Sequence, residues 1–124
     1  MTYLFSIVLI VVLALVIGLS LYTLFIAKRV ELGMPPEGRF ITVMGNRIHY
    51  IEQGSGDKTI LLIHGLSGVA QHFGYSVMGQ LARHYRVVAI DRPGSGYSVR
   101  PGRSSASLAV QADVVAGVID ALNL

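Results

Sequence analysis

The segment "TILLIHGLSG", residues 59–68, decides the fold because a continuous apolar run leads directly into a His-Gly turn. Residues 60–63 lack the polar alternation of a half-exposed strand, so we expect a strand buried on both faces, as in a parallel sheet. Residues 86–90, within "YRVVAI", show the same pattern and predict a second buried strand. Between the two strands the sequence predicts a helix near residues 75–83.

The segment before these strands predicts a β-hairpin. Residues 40–54, "FITVMGNRIHYIEQG", alternate in side-chain type on both sides of a Gly-Asn pair. We therefore expect two antiparallel strands joined by a turn at Gly45 and Asn46.

The segment after the strands predicts a helix over residues 106–122, with Ser104 or Ser105 as its N-cap. Its apolar stripe consists of Leu108, Ala112, Val115, Ile119 and Leu122. A hairpin, a strand, a helix, a strand and a helix in this order predict an α/β fold, in which crossover helices connect parallel strands.

The N-terminal residues 3–27, "YLFSIVLIVVLALVIGLSLYTLFIA", carry no charged side chain. As a helix they would measure about 37 Å, more than the hydrocarbon core of a bilayer at about 30 Å. We expect a single-pass transmembrane helix that anchors the protein in the lipid bilayer. A cleaved signal peptide and a buried core helix are the alternatives. The run is longer than a signal peptide's apolar region, however, and no basic segment precedes it.

Residues 28–39 are predicted as a polar linker, because a Pro-Pro pair keeps a helix from continuing through them. Lys28 and Arg29 follow the apolar run and no basic residue precedes it. The positive-inside rule therefore predicts that the remainder of the chain lies in the cytoplasm. That remainder is predicted to be one domain over residues 40–124.

The charge pattern argues against a nucleic-acid-binding protein. The net charge is only +3, and the basic side chains are scattered along the chain, whereas a nucleic-acid footprint clusters them on one face. The chain contains no cysteine, so it forms no disulfide. Gly94 and Gly96 lack the third glycine of a dinucleotide-binding fingerprint. We expect neither a cofactor nor a metal ion.

The His-Gly segment is the first candidate site. Backbone N–H groups in such a turn can point at a developing oxyanion, and the Leu66 N–H is the natural donor. Gly65 lets the backbone turn sharply after the strand and approach a ligand closely. His64 lies at the strand end, so we interpret it as a structural hydrogen-bonding residue, with a general base as the alternative. No base is placed to activate Ser67 as a nucleophile.

The second candidate segment is "DRPGSGYS", residues 91–98. Its Gly, Pro and Ser content predicts a loop whose backbone amides are tied by the side chains of Asp91 and Ser98. The alternative interpretation makes Asp91 a catalytic carboxylate. Both candidate segments follow buried strands, and the carboxyl ends of parallel strands are where ligands bind in open α/β sheets.

The two segments together are more specific than either alone. His-Gly after one strand and D-x-P-G-x-G-x-S after the next resemble the α/β-hydrolase superfamily, in its esterase, epoxide-hydrolase and haloalkane-dehalogenase branch. The resemblance covers residues 40–124 and implies that the Leu66 N–H belongs to the oxyanion hole. The positions that match the family's pocket-shaping loops are His64, Gly65, Gly68, Asp91, Pro93, Gly94, Gly96 and Ser98.

The family's nucleophile elbow, G-x-S-x-G or its version with Asp, does not occur in the sequence. Ser67, Ser76 and Ser98 each have a glycine two residues before them but none two residues after. The resemblance implies an elbow beyond the helix at 106–122, with the catalytic acid and histidine later still. We therefore expect a truncated chain that is inactive by itself. A second reason to expect truncation is that strand 60–63 would have an edge of unpaired backbone N–H and C=O groups.

The resemblance implies an enzyme that cleaves an ester, amide, epoxide or carbon–halogen bond of a small-molecule substrate by covalent catalysis. Two alternatives remain open. One is a non-enzymatic membrane-tethered module that binds a partner by strand addition at the bare edge. The other is a pseudo-hydrolase, with the full fold but without the nucleophile.

Overall fold

The computed structural model describes residues 2–124, and the chain divides after Pro36 into two compact units. The first unit contains one helix, α1 (Thr2–Gly33), and the second, from Glu37 onward, contains a sheet and three helices.

Helix α1 is long and apolar enough to cross a membrane by its length and composition. It continues through Gly33, so the first part of the predicted linker is helical rather than extended. Two of its hydroxyl side chains, Ser20 and Thr23, donate hydrogen bonds to the backbone oxygens four residues earlier, at 2.7 and 2.9 Å. Polar groups that are satisfied within the helix can enter an apolar medium at lower cost.

The sheet has four strands: β1 (Arg39–Val43), β2 (Asn46–Gln53), β3 (Thr59–Ile63) and β4 (Arg86–Ile90). Their spatial order is β1-β2-β4-β3. Strands β1 and β2 are antiparallel, as are β2 and β4, whereas β3 and β4 are parallel. The predicted α/β fold, with a hairpin followed by a parallel strand pair, is thereby confirmed.

The hairpin turn lies one residue before its predicted place. Val43 pairs with Asn46 across a loop that consists of Met44 and Gly45. Both loop residues have positive φ, 48° and 76°, as a type I′ turn requires. The Asn46 side-chain amide donates to the Val43 and Met44 carbonyls at 3.3 and 3.1 Å. These bonds place the asparagine after the turn rather than inside it.

The predicted helix over residues 75–83 is wrong in its extent. Two short helices occupy this region, α2 (Gln71–Gly74) and α3 (Met78–Leu81). Single helical turns suffice here because Met78 alone is fully buried among the helical residues of this segment.

The last helix, α4 (Leu108–Leu122), agrees with the prediction in position but not in its cap. Ser107, rather than Ser104 or Ser105, accepts the hydrogen bond from the Val110 N–H, at 3.4 Å. The chain enters the helix later than predicted, because Ser104 instead donates to the Pro101 carbonyl at 2.9 Å.

The predicted apolar stripe of α4 is only partly its buried face. Val114 and Val118 are fully buried against the sheet, whereas Leu108 is 79% exposed. The helix is apolar on more than one side, and packing on the sheet selects the side that carries the two valines. The other side, with Ile63 of β3 and Arg92, lines a groove of about 350 Å³, which we call the β3–α4 groove.

Two apolar cores lie on opposite faces of the sheet, and alternate residues of β4 contribute to each. Val88 and Ile90 pack with α4, while Val87 and Ala89 pack with Met78 of α3. Strand β4 is thus buried on both faces, as predicted. Strand β3 is not, because within residues 2–124 it pairs with β4 alone, and its side chains remain partly or fully exposed.

Candidate active-site loops

The two candidate segments meet at one edge of the sheet. Strands β3 and β4 are parallel and pair in register from Thr59 with Arg86 to Ile63 with Ile90. The loop that follows β3, residues 64–70, therefore leaves the sheet beside the loop that follows β4, residues 91–98. Direct hydrogen bonds connect the two loops.

His64 joins the two loops through its imidazole ring. The side chain is buried, and its Nε2 accepts a hydrogen bond from the Arg92 N–H at 3.1 Å. The proton therefore lies on Nδ1, which donates to the Gly65 carbonyl at 2.8 Å. A ring with both nitrogens engaged in this way has no free lone pair for a substrate proton. The geometry supports the structural interpretation of His64 over a general base.

The backbone of the first loop turns at Ser67, not at Gly65. Ser67 has a φ of 58°, while Gly65 does not have a positive φ, and a Cβ added to it would have open space. Gly68 is the glycine that a close contact requires, since a Cβ there would lie 2.9 Å from the Cβ of His64.

Leu66 lies at the tip of the first loop, and its side chain is 94% exposed. The hydrogen bonds of this loop within the described chain include the one from the Gly68 N–H to the Gly65 carbonyl, at 3.3 Å, but none donated by the Leu66 N–H. The Leu66 N–H thus has no acceptor among the described residues, and it belongs to a residue that is almost fully exposed. A mechanism that needs an oxyanion donor requires such an amide.

Asp91 is the centre of the hydrogen bonds that hold the loops. Its carboxylate is almost fully buried and accepts the Ala70 N–H at 2.7 Å, the Tyr97 N–H at 3.0 Å and a ring N–H of His49 at 2.8 Å. The Ala70 bond reaches the loop after β3, and the Tyr97 bond closes the loop after β4.

The pKa of Asp91 is lowered by these contacts. Burial alone raises the pKa, because it disfavours the charged form. The hydrogen bond from His49, the bonds from the Ala70 and Tyr97 amides, and the charge of His49 together outweigh burial, so the pKa falls below its usual value. The carboxylate is therefore ionised at neutral pH. With its donors provided by the two loops and by His49 of β2, its geometry supports the structural interpretation over a catalytic carboxylate.

Pro93 and Gly94 form the first turn of the loop after β4. The Ser95 N–H donates to the Arg92 carbonyl at 2.9 Å, and Gly94 has a φ of 79°. A type II turn has this pattern, with proline in its second position and glycine in its third.

Gly96 is the position in this loop where a side chain is excluded. Its φ is 52°, and an added Cβ would lie 2.3–2.5 Å from the carboxylate atoms of Asp91. The glycine lets the backbone wrap around the buried carboxylate.

Ser98 closes the loop onto the sheet. Its buried hydroxyl donates to the Asp91 carbonyl at 2.7 Å and accepts the His49 N–H at 2.8 Å. The hydroxyl therefore pairs two backbone groups that lie at the end of the ladder between β2 and β4. Its partners support the predicted role in tying the loop.

His49 is the residue of this cluster that the sequence analysis missed. It lies in β2, is fully buried, and contacts both Asp91 and the rings of Phe40 and Tyr97. The alternation in the hairpin predicts two strands but assigns no role to His49. Ile51, two residues further and therefore on the same face of β2, is also buried, and this apolar residue was the available signal.

No group of three or more His, Cys, Asp or Glu side chains within residues 2–124 is arranged to hold a metal ion. The expectation that the protein needs no metal or cofactor stays a prediction.

The family model for the alpha/beta hydrolase fold matches residues 58–124, which is more than half of the chain. The match begins just before β3 and includes β4 and α4. Both candidate loops thus lie inside the matched region.

Two curated relatives show how much of such proteins the chain represents. It is 38% identical over 82 residues to the dihydrolipoyllysine-residue acetyltransferase component of the acetoin cleaving system of Cupriavidus necator, covering 66% of this chain and 21% of the relative. It is 37% identical over 92 residues to the 2-hydroxymuconate semialdehyde hydrolase of Pseudomonas sp. strain CF600, covering 73% of this chain and 32% of the relative. The chain spans about a fifth to a third of their lengths.

Solved structures give the same result for the fold. A meta-cleavage product hydrolase from Pseudomonas fluorescens IP01 matches with a TM-score of 0.65 and 30% identity, over 69% of this chain and 32% of that one. A membrane phospholipase A, described as a bacterial virulence factor, matches with a TM-score of 0.65 and 31% identity, over 95% of this chain and 40% of that one. On the matched family model, with these structures in agreement, the chain belongs to the alpha/beta hydrolase fold family.

Proposed function

We propose that this chain is the N-terminal part of a membrane-anchored hydrolase, in which the Leu66 N–H stabilises an oxyanion. The Leu66 amide at the carboxyl end of β3, which has no acceptor among the described residues, carries this proposal. His64 and Asp91 hold the residues on both sides of the amide, so the donor is held in place before a substrate binds. Preorganised donors of this kind contribute strongly to acyl transfer, about 2.7–4 kcal/mol each.

The chemistry proceeds by covalent catalysis. In acyl transfer a nucleophile attacks the carbonyl carbon, the carbonyl oxygen becomes an oxyanion, and the Leu66 N–H donates to that oxygen. The leaving group then departs with a proton, and water hydrolyses the covalent intermediate. The nucleophile, the acid and the catalytic histidine would lie outside residues 1–124. The chain spans only 21% and 32% of two curated relatives, which supports a location of these three residues outside it.

The substrate is a small molecule with an ester, amide, epoxide or carbon–halogen bond. The proteins with similar sequences or structures include a 2-hydroxymuconate semialdehyde hydrolase, an epoxide hydrolase and a phospholipase. The family thus supports hydrolysis of different bonds, and the residue in the nucleophile position would select among them.

The proposed division of the chain is an anchor at residues 3–27, a linker at 28–39 and the hydrolase domain from residue 40. The length and apolar composition of α1 support the anchor. The match to the membrane phospholipase A covers 95% of this chain and therefore includes most of α1. Lys28 and Arg29 favour a cytoplasmic domain. A reporter fused after the domain should then be protected from reagents added outside the cell, and Lys28→Glu with Arg29→Glu should reduce that protection.

The experiment that tests the proposed enzyme starts with the gene. Sequencing the source DNA beyond codon 124 should reveal a strand, then G-x-S-x-G or its Asp version, and later an acid and a histidine. A stop codon directly after Leu124 would contradict catalysis by this polypeptide.

The role of Leu66 is then tested in the enzyme that contains this chain. Leu66→Pro removes the N–H and should lower kcat by about 10²–10³-fold. Leu66→Ala keeps the N–H and removes only an exposed side chain, so its kcat should stay close to that of the wild type. Equal kcat in the two variants would contradict the oxyanion role.

A binding module is the second candidate function, and the edge of β3 favours it. Within residues 2–124 this edge is unpaired, and Ile63 at its end is 46% exposed. The β3–α4 groove lies beside it. A partner strand could add to this edge. The 124-residue chain should then be monomeric in detergent by light scattering, whereas an edge that belongs inside a larger sheet should cause aggregation.

A further inference from the structure

The His49 ring connects the beginning of the domain to the candidate active-site loops. One ring nitrogen, Nε2, lies 2.7 Å from the backbone carbonyl oxygen of Glu37, the first residue of the second compact unit. The other, Nδ1, lies 2.8 Å from the Asp91 carboxylate. The ring is fully buried, so no water competes for either nitrogen.

Both neighbours of the His49 ring are hydrogen-bond acceptors. A carbonyl oxygen can only accept, so Nε2 must carry a proton to bond with Glu37. The Asp91 carboxylate also receives the amides of Ala70 and Tyr97, which lowers its pKa and keeps it ionised. Nδ1 must then carry the second proton. A ring with two N–H groups is an imidazolium, and its charge lies next to the carboxylate.

We propose that His49 is a positioning residue, an imidazolium that holds the Asp91 carboxylate in place and ties it to the start of the domain. Asp91 in turn fixes the loop after β3 at Ala70 and the loop after β4 at Tyr97. His49 therefore acts on the Leu66 amide through Asp91 and does not itself reach the site. A path of hydrogen bonds thus runs from Glu37, the first residue of the second compact unit, through His49 and Asp91 to Ala70 in the loop after β3.

The surroundings of the ring fit this role. Phe40 and Tyr97 pack against it, with ring centroids 5.2 and 5.3 Å away, and Tyr97 meets it edge-on. The Arg47 guanidinium lies over the Phe40 ring at 3.5 Å. Asp91 is the only carboxylate in direct contact with His49 among the described residues. Beside the His49–Asp91 pair these contacts place one titratable group, Tyr97, and one charged group, Arg47, which lies on the Phe40 ring.

The test uses the enzyme that contains this chain, in detergent micelles, and its readout does not depend on hydrolysis. Nitrogen-15 NMR of the histidine rings should show two protonated nitrogens in His49 at neutral pH. A single protonated nitrogen would overturn the proposal. Because this measurement is made on the wild-type chain, it decides the charge state even where variants fail to fold.

Two variants separate the two ends of the ring. His49→Asn places an amide near Nδ1 and retains a donor for Asp91, whereas His49→Gln places one near Nε2 and retains a donor for Glu37. Both variants lose the charge of the ring, so they are compared with each other. Hydrogen exchange at the Ala70 and Tyr97 amides should be about 10–100-fold faster in His49→Gln than in His49→Asn, the equivalent of one hydrogen bond to a charged group.

The Val88 amide in the central strand is the reference for global stability. Equal acceleration at Ala70, Tyr97 and Val88 in both variants would mean that His49 only stabilises the core, and the positioning role would be wrong. This outcome would leave the proposed oxyanion role of Leu66 intact, because that role is tested by kcat.

Discussion

The two loops at the carboxyl ends of β3 and β4 have adjacent places in the fold but opposite physical character. The loop after β4 closes on itself, through Asp91, with hydrogen bonds from Tyr97 and Ser98. The loop after β3 exposes its tip, where Leu66 is 94% exposed and Ser67 has a φ of 58°. One loop is a framework and the other presents a donor. The loop after β4 is therefore held by its own hydrogen bonds, whereas the loop after β3 is open to solvent at its tip. Asp91 connects the two loops by accepting the Ala70 N–H.

Asp91→Asn should cause the largest loss in the free energy of unfolding, because Asp91 holds both loops. An asparagine cannot accept from His49, Ala70 and Tyr97 at once, and it leaves the buried ring without its counter-charge. Breaking a buried pair costs about 3–5 kcal/mol. Urea unfolding of the enzyme that contains this chain, in micelles and followed by near-ultraviolet circular dichroism, measures this loss.

The same pair predicts a pH dependence. Because folding lowers the pKa of Asp91, its contribution to stability is complete above the usual value of about 4 and is lost as the pH falls through the lowered value. The free energy of unfolding of the wild type should therefore decrease below about pH 4, and Asp91→Asn should flatten that decrease. An unchanged slope in the variant would contradict the ionised carboxylate.

Gly96→Ala in the loop after β4 is compared with Gly65→Ala in the loop after β3, and the loss of stability should be larger at Gly96. The added Cβ would meet the Asp91 carboxylate at a backbone φ of 52°, and we expect a loss of about 3 kcal/mol. Gly65→Ala has open space around its Cβ and should change stability by at most about 0.5 kcal/mol. Similar losses in the two variants, measured by the same unfolding assay, would remove the difference between the loops.

Ser98→Ala should have a smaller effect on the framework loop. It removes one hydroxyl that bridges the Asp91 carbonyl and the His49 amide, at a cost of about 1–3 kcal/mol. Hydrogen exchange at the His49 amide should accelerate accordingly. An exposed serine, Ser76, provides the control, because Ser76→Ala should leave that amide unchanged.

Ser67→Gly should have the smallest effect and the opposite sign. Glycine adopts a positive φ without the steric cost that serine pays there. The gain is partly offset by the greater freedom of glycine in the unfolded chain, so we expect stabilisation of no more than about 1 kcal/mol. A clear destabilisation would mean that the Ser67 side chain contributes contacts to the loop.

Pattern and spacing were sufficient to predict the architecture. The runs at residues 60–63 and 86–90 predict the parallel strands by their apolar continuity, although burial on both faces is found for β4 and not for β3. Residues 106–122 predict α4 by the length of the segment and its helical spacing of apolar residues. The His-Gly and D-x-P-G-x-G-x-S segments locate both loops, since each follows a strand.

The errors arise where tertiary contacts decide between local possibilities. The turn at Met44 depends on the side-chain bonds of Asn46, and the buried face of α4 depends on which valines meet the sheet. His49 was missed because its role depends on Asp91, 42 residues away. A pattern read within one short segment cannot show a contact between residues so far apart in the sequence.

The strand order has a consequence for synthesis. Strand β4 lies between β2 and β3, although both precede it in the chain. As the polypeptide leaves the ribosome, the hairpin can form early, but β3 has no partner until residues 86–90 emerge. Their insertion joins three strands and brings both loops to the same edge in one event. The loop after β3 is therefore assembled late, and a chain interrupted before β4 contains the sequence of this loop without its folded conformation.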